Sequence, residues 1–307
     1  MLFVAGLNNY NQLFTETKKN NPDKIPCLDT FTPISLDPSN IADFSLGGTF
    51  SAYITKDGQA FGIGDDTNFC LGTSKRQVYK TPVQIQFSQI DPNDKFVSVH
   101  CGSYYTAYLT ESGLIIYCSY YTQDFVPVIH RLPAKAIYLS GGILKPVAID
   151  ENGDFYLFKE NPVKEPKQFH LDEPVYDIIG CDNVFSSGFT IVITVSGKIY
   201  SNGSFSEENP TFAIVPELSQ IDVQRVFGIH RHCIAITRKN QVNFMGSNSS
   251  GQFGNGDSKC EARTDFERMS IFDSYKILTA AAGYGHTLYL TSNGKLLGCG
   301  NCEYGQC

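Results

Sequence analysis

Thr55-Lys-Asp-Gly58 closes one short apolar run, Phe50-Ser-Ala-Tyr-Ile54, and opens another, Ala60-Phe-Gly-Ile63. The same four-residue signal returns as Thr110-Glu-Ser-Gly113, Asp150-Glu-Asn-Gly153, Thr194-Val-Ser-Gly197, Thr237-Arg-Lys-Asn240 and Thr291-Ser-Asn-Gly294. Its fourth positions lie 55, 40, 44, 43 and 54 residues apart, a spacing that suits one blade of a β-propeller. Gly holds that position five times and Asn once. These are the residues that accept a left-handed backbone most readily, so Gly58, Gly113, Gly153, Gly197, Asn240 and Gly294 read as structural hairpin turns.

The flanks agree. Thr106-Ala-Tyr-Leu109, Phe189-Thr-Ile-Val-Ile193, His232-Cys-Ile-Ala-Ile236 and His286-Thr-Leu-Tyr-Leu290 precede turns, and Leu114-Ile-Ile-Tyr117, Phe155-Tyr-Leu-Phe158 and Val242-Asn-Phe-Met245 follow them. They are short, β-branched or aromatic, and bounded by Gly, Asn and Ser, as strands are. Several are apolar on both faces, which suits sheets stacked against neighbouring sheets. No stretch of a dozen residues shows a helical period, so the expected fold class is all-β.

Two further elements recur. One is a loop beginning with Gly: Gly6-Leu-Asn-Asn-Tyr-Asn-Gln-Leu13, Gly64-Asp-Asp-Thr-Asn-Phe-Cys-Leu-Gly72, Gly246-Ser-Asn-Ser-Ser-Gly-Gln-Phe-Gly254 and Gly300-Asn-Cys-Glu-Tyr-Gly-Gln306. Gly246, Asn248 and Gln252 carry its pattern most fully. The other precedes the hairpin: Gly47-Gly-Thr-Phe50, Gly102-Ser-Tyr-Tyr105 and Gly283-Tyr-Gly-His286. The combined pattern, G-x-x-H, strand, T-x-x-G, strand, G-x-N-x-x-G-Q-L-G, resembles the regulator of chromosome condensation repeat family. The resemblance runs along essentially the whole chain, strongly at 42–73 and 225–307 and weakly between 118 and 210. There the loop gives way to stretches such as Tyr120-Tyr-Thr-Gln-Asp124 and Ser204-Phe-Ser-Glu-Glu208.

Family members usually close seven blades, with strands from the two termini sharing one. Here six copies carry the hairpin, and Leu2–Ala5 adds an extra copy of the strand leading into the loop. The expectation is a β-propeller of about six to seven four-stranded antiparallel blades, six being preferred. Residues 1–307 then form one domain, in which region 1–36 closes the ring with the C-terminal blade 277–307. Thr32-Pro-Ile-Ser-Leu36 is the expected outer strand there, which would cover an otherwise unpaired edge. Thr15–Thr30, rich in Lys, Asn and Pro, reads as a surface loop.

At 307 residues and 42% apolar side chains the chain can bury a sizeable core. No secretory signal or run of membrane-spanning length is present, so the expected setting is the cytoplasm or the nucleus, without membrane insertion. Most of the ten cysteines replace apolar strand residues, and reduced, buried thiols are expected. Cys299-Gly-Asn-Cys302 with Cys307 is the sharpest metal candidate. A structural zinc needs a second such pair, and none exists, so packing is the preferred reading and no metal or cofactor is expected.

Twenty-four basic against thirty-one acidic residues give a net charge of −7 without a basic run, which argues against nucleic acid as the partner. Catalytic residues are not expected either. His232 and His286 sit where the repeat places a buried imidazole, and Asp65-Asp66 lies in a loop where Asx turns explain it.

Recognition remains, because loops converge at the ends of blades. The resemblance implies that the residues between Gly and His dock partners, small GTPases and further copies included. Carried over, they are Gly48 and Thr49, Ser103 and Tyr104, Ile143 and Leu144, Ser187 and Gly188, His230 and Arg231, Tyr284 and Gly285. From these, Thr49, Ser103, Tyr104, His230, Arg231 and Tyr284 form the candidate partner-binding face, Tyr and Arg being common interface anchors. The function expected is a non-catalytic scaffold for a protein partner, a small GTPase or a larger assembly. The alternative is guanine-nucleotide exchange on a small GTPase, the activity for which the family is best known.

Overall fold

A computed structural model of the chain describes residues 2–16, 25–73, 75–122, 126–183, 186–202, 211–230, 232–256 and 263–307. These residues are almost wholly strand and turn, and they divide into two compact units, Met1–His170 and Leu171–Cys307.

The first unit opens with a two-stranded antiparallel ladder, β1 (Leu2–Leu7) with β2 (Cys27–Ile34). Three four-stranded blades follow. Blade one is β3 (Ile41–Leu46), β4 (Phe50–Thr55), β5 (Ala60–Asp65) and β6 (Val78–Ile85). Blade two is β7 (Phe96–Cys101), β8 (Tyr105–Thr110), β9 (Leu114–Ser119) and β10 (Val128–Arg131). Blade three is β11 (Ala136–Gly141), β12 (Pro146–Asp150), β13 (Phe155–Leu157) and β14 (Lys167–Phe169).

The second unit holds blade four, β15 (Val175–Asn183), β16 (Ser186–Thr194), β17 (Ile199–Ser201) and β18 (Ala213–Ile214). Blade five is β19 (Val223–Ile229), β20 (His232–Thr237), β21 (Val242–Gly246) and β22 (Arg263–Arg268). Among the described residues blade six has three strands, β23 (Ile277–Ala282), β24 (His286–Thr291) and β25 (Leu296–Gly300). Each blade is a meander in which sequential strands pair, so six propeller blades account for all but the first ladder.

The recurrent tetrapeptide is the turn between the second and third strands of every blade. The amide of its fourth residue donates to the carbonyl of its first, at 2.8–3.0 Å in all six copies. The fourth residue has φ of +87° at Gly58, +90° at Gly113 and +62° at Asn240, a region that penalises a side chain with a Cβ unless it is Asn or Asp. Thr at the first position has its own use. Its hydroxyl accepts the amide four residues on, as in Gln59 N to Thr55 Oγ1 at 3.0 Å, Gln241 N to Thr237 Oγ1 at 3.0 Å and Lys295 N to Thr291 Oγ1 at 2.9 Å. Asp150 replaces the hydroxyl with a carboxylate that accepts Asp154 N at 3.0 Å.

The apolar strands before these turns are buried on both sides: every residue of β4, β8 and β20 is buried. Their alternate side chains fill cores between successive blades. Phe50, Leu71, Phe87, Phe96 and Tyr108 lie between blades one and two. Phe244, Phe253, Phe272 and Tyr289 do the same between blades five and six. The first strand of each blade carries a register shift near its start, as between Ile41 and Asp43 and between Ile277 and Thr279.

One expectation is corrected. Cys27–Thr30 is strand, the opening half of β2, because Leu28 and Cys27 pair with Gly6 and Leu7. The remainder of the expected loop, residues 17–24, lies outside the described residues. Thr32, Pro33 and Ile34 run opposite Val4, Phe3 and Leu2 in the same ladder.

Candidate functional site

The Gly-x-x-aromatic turn joins the first two strands of a blade. The glycine amide donates to the carbonyl three residues on: Gly47 to Phe50 at 2.9 Å, Gly102 to Tyr105 at 2.9 Å and Gly283 to His286 at 2.8 Å, and in blade three, where Lys145 replaces the aromatic, Gly142 to Lys145 at 3.0 Å. The aromatic ring folds back over the glycine. A methyl on Gly47 would stand 2.9 Å from Phe50 Cε2, and one on Gly283 would stand 2.6 Å from His286 Nδ1. The motif therefore couples Gly to a flat side chain for steric reasons.

Within the first unit these turns are stitched side by side. The Ser103 amide donates to the Ile143 carbonyl at 2.8 Å, and a methyl on Gly47 would stand 2.6 Å from the Gly102 carbonyl. The loops that follow the third strands, Gly-initiated or not, attach to the turns at the same end of their blades. Asp65 N donates to Thr49 O at 2.9 Å, Tyr120 N to Tyr104 O at 3.0 Å and, in the second unit, Asn301 N to Gly285 O at 2.8 Å. Gly64 and Gly300 have φ of +105° and +108° and lie hard against those turn carbonyls, which is why each loop starts with Gly.

The loops share one frame. Asn8 Oδ1 accepts Leu13 N at 2.9 Å, Asp66 Oδ1 accepts Leu71 N at 2.7 Å and Asn248 Oδ1 accepts Phe253 N at 2.8 Å. Gln12 and Gln252 each accept the amide two residues earlier, from Tyr10 and Ser250, at 2.9 Å. Gly246, at φ +102°, opens the loop that Asn248 and Gln252 organise. Asp65 Oδ1 accepts Thr67 N at 2.9 Å, an Asx turn, while burial pushes the Asp66 carboxyl up to about 6 against the bonds it accepts.

The candidate face residues divide. Tyr104 is 40% exposed and Tyr284 62% exposed, and Thr49 and Ser103 are half-buried. His230 is buried beneath Tyr284: the rings stack with centroids 3.8 Å apart, and His230 Nδ1 lies 3.1 Å from Tyr284 O. His230 also has φ of +62°, so it props its neighbour in a constrained turn. Arg231 lies outside the described residues. Ile143 and Leu144 are buried, so the third blade offers no side chain at these positions.

Tyr120 and Tyr121, outside the candidate face read from sequence, are exposed and extend Tyr104 into a cluster with ring centroids 6.3 and 5.4 Å apart. The only sequence signal was a doubled tyrosine where the loop motif fails.

His232 and His286 are held below the usual imidazole range by burial, His232 at about 4 with His286 and His230 adding to the effect. Among the described residues no three His, Cys, Asp or Glu side chains assemble as a metal site. Cys302 and Cys307 are joined in a disulfide, a correction to the expectation of reduced thiols. Their Cα atoms stand 5.3 Å apart across one loop, within the span a disulfide bridges.

Residues 57–109 match a family profile described as "Regulator of chromosome condensation (RCC1) repeat", and residues 278–306 match a second profile of the same description. Over 91 residues, 30% of this chain, the sequence is 32% identical to the ultraviolet-B receptor UVR8 of Arabidopsis thaliana. Over 92 residues it is 28% identical to the probable E3 ubiquitin-protein ligase HERC4 of Homo sapiens. These matches span 20% and 9% of the relatives' lengths.

Among solved structures, human WBSCR16 superposes with a TM-score of 0.75 at 14% identity, covering 99% of this chain and 89% of that one. Yeast RCC1 (Prp20), seen bound to Kap60, superposes with a TM-score of 0.77 at 15% identity, covering 98% and 79%. The Saccharomyces cerevisiae protein Prp20p has also been studied for binding to Gsp1p and histones.

Proposed function

From a chain that carries regulator of chromosome condensation repeats, we propose a non-catalytic scaffold that binds a partner protein through the turns at its blade ends, in the cytoplasm or the nucleus. The observation that supports this reading is the presentation of Tyr104 and Tyr284. Both are large, exposed aromatics at the tips of turns whose backbones are hydrogen-bonded. Anchors of this kind lose little conformational freedom on docking. The net charge of −7 favours a protein with a basic or neutral contact surface over nucleic acid.

The test is affinity purification of the tagged protein from its own cells in nucleotide-free buffer with chelator, followed by mass spectrometry. The expected result is a protein partner that is retained when GTP and magnesium are added and lost from the Tyr104→Ala/Tyr284→Ala variant. A small GTPase released by GTP and magnesium would replace the scaffold reading with nucleotide exchange. A partner captured equally by the variant would remove the two tyrosines from the interface.

A further inference from the structure

Four Gly-initiated loops follow one template, and one of them departs from it at two positions only. In the loops that begin at Gly6, Gly64 and Gly246, the third residue is Asn8, Asp66 or Asn248, whose side-chain oxygen accepts the amide of the eighth residue, Leu13, Leu71 or Phe253. The loop beginning at Gly300 keeps the rest of the frame. Tyr304 N donates to Gln306 Oε1 at 2.8 Å, Gly305 N donates to Cys302 O at 3.1 Å, and Gly305 takes φ of +78°, as Gly251 takes +76°. Its third and eighth residues are Cys302 and Cys307, and they are the pair joined by the disulfide. A covalent S–S bond stands where the other loops place a side-chain hydrogen bond.

We propose that Cys302 and Cys307 form a reversible redox modification site, with a low-molecular-weight disulfide of the glutathione class as the reaction partner, and that its oxidation state closes or releases this loop. Cys302 is exposed and Cys307 half-buried, so Cys302 is the residue an incoming disulfide reaches first. The Cys302 thiolate attacks one sulfur of the oxidised glutathione. The glutathione S–S bond breaks, one glutathione thiolate leaves and is protonated by water, and a mixed disulfide remains on Cys302. The Cys307 thiolate then attacks the Cys302 sulfur, the protein S–S bond forms, and the second glutathione leaves as a thiolate that is protonated in turn. Two protein thiols are oxidised and one small disulfide is reduced.

A third cysteine is close in sequence but held apart. Cys299 donates its thiol to Gln252 O at 3.2 Å on the neighbouring blade, and burial pushes it up to about 11, so it stays a protonated thiol while the pair exchanges. Reduction leaves the loop with neither device. Cys302 offers no amide or carboxylate oxygen to the eighth residue, so the closure made in the other loops by Asn8, Asp66 or Asn248 is lost.

The test equilibrates the protein in buffers of reduced and oxidised glutathione, followed by acid quench, alkylation and trypsin. Cleavage after Lys295 places Cys299, Cys302 and Cys307 on one peptide that begins at Leu296, with no Lys or Arg between them. The expected result is loss of alkylation at 302 and 307 together, with Cys299 alkylated throughout. On reduction, hydrogen exchange at the hydrogen-bonded Tyr304 and Gly305 amides should rise on the order of tenfold, because a short cross-link removes most open conformations of its loop.

The Cys302→Asn/Cys307→Leu variant, which restores the residues of the Gly6 loop, should keep slow exchange whether or not reductant is present. Thiols that stay free in oxidised glutathione, or that stop as glutathione adducts, would overturn the proposal. So would exchange that ignores reduction in the unsubstituted protein.

Discussion

Replacing Gly47 by Ala and, separately, its neighbour Gly48 by Ala should give opposite outcomes in one turn. Neither residue has a left-handed φ, so backbone conformation does not separate them. Space does. A methyl on Gly47 would stand 2.6 Å from the Gly102 carbonyl oxygen, 2.9 Å from Phe50 Cε2 and 3.1 Å from Phe50 O. Two of those atoms are backbone, one of them in the adjacent blade, and Phe50 is buried, so the ring cannot swing clear. Overpacking of this kind costs about 1–3 kcal/mol, and contact with fixed backbone places Gly47→Ala at the upper end, about 2–3 kcal/mol. A methyl on Gly48 would meet nothing nearer than Ser103 Cα at 3.6 Å. With a compatible φ its effect should lie within about 0.5 kcal/mol, or favour folding by restricting the unfolded chain.

Urea unfolding followed by far-ultraviolet circular dichroism and tyrosine fluorescence reads both, since the chain has 17 Tyr and no Trp. With a slope of about 2–3 kcal/mol per molar, Gly47→Ala should lower the first transition by about 1 M. A midpoint unchanged from the parent, or an equal fall in Gly48→Ala, would refute the claim that the motif glycine exists to admit the ring and the neighbouring carbonyl.

His232, neutral in the fold and held at about 4 by burial and then by His286 and His230, lies below its unfolded value near 6.5. Its contribution is therefore complete above about pH 6.5 and lost as pH falls toward 4, by up to ~3 kcal/mol. His232→Phe should flatten that part of the urea-midpoint profile, and an unchanged slope would contradict it. Asp66 works the other way: raised to about 6, it should let stability increase as pH falls from about 6 toward 4, a gain that Asp66→Asn should abolish in the same titration. Thr237→Val removes the hydroxyl that accepts Gln241 N and should cost about 1 kcal/mol by urea unfolding, with Thr237→Ser recovering most of it. Tyr284→Ala uncovers the His230 ring at the surface, so it should weaken partner capture while shifting the thermal midpoint by only a few degrees; a loss of stability as large as that of Gly47→Ala would place Tyr284 in the core.

Much of the fold was legible because its decisive residues act locally. A turn that needs φ near +87° at Gly58, or an amide four residues on from Thr237, leaves its mark within five positions of sequence. The Asx turn at Asp65 is legible for the same reason, since its side chain bonds only two residues on. What escaped depends on residues far apart. Nothing in Gly228–His232 says that His230 lies under Tyr284, 54 residues on, so a residue taken for an exposed contact is its support. Ile143 and Leu144 occupy the corresponding turn positions of blade three yet are buried, as apolar side chains at a turn can be wherever neighbouring chain covers them. The disulfide is not legible from cysteine spacing taken alone; it lies in the equivalence of Cys302 and Cys307 with Asn8 and Leu13, positions that close the loop by a hydrogen bond elsewhere.

The bond from Ser103 N to Ile143 O has a mechanical consequence. A load applied at Tyr104 passes sideways along main chain into the next blade, with no flexible side chain in the path to absorb it. Such a rim is stiff. A partner binding there as proposed would have to match its shape beforehand, and complexes formed on it would differ mainly in how long they last.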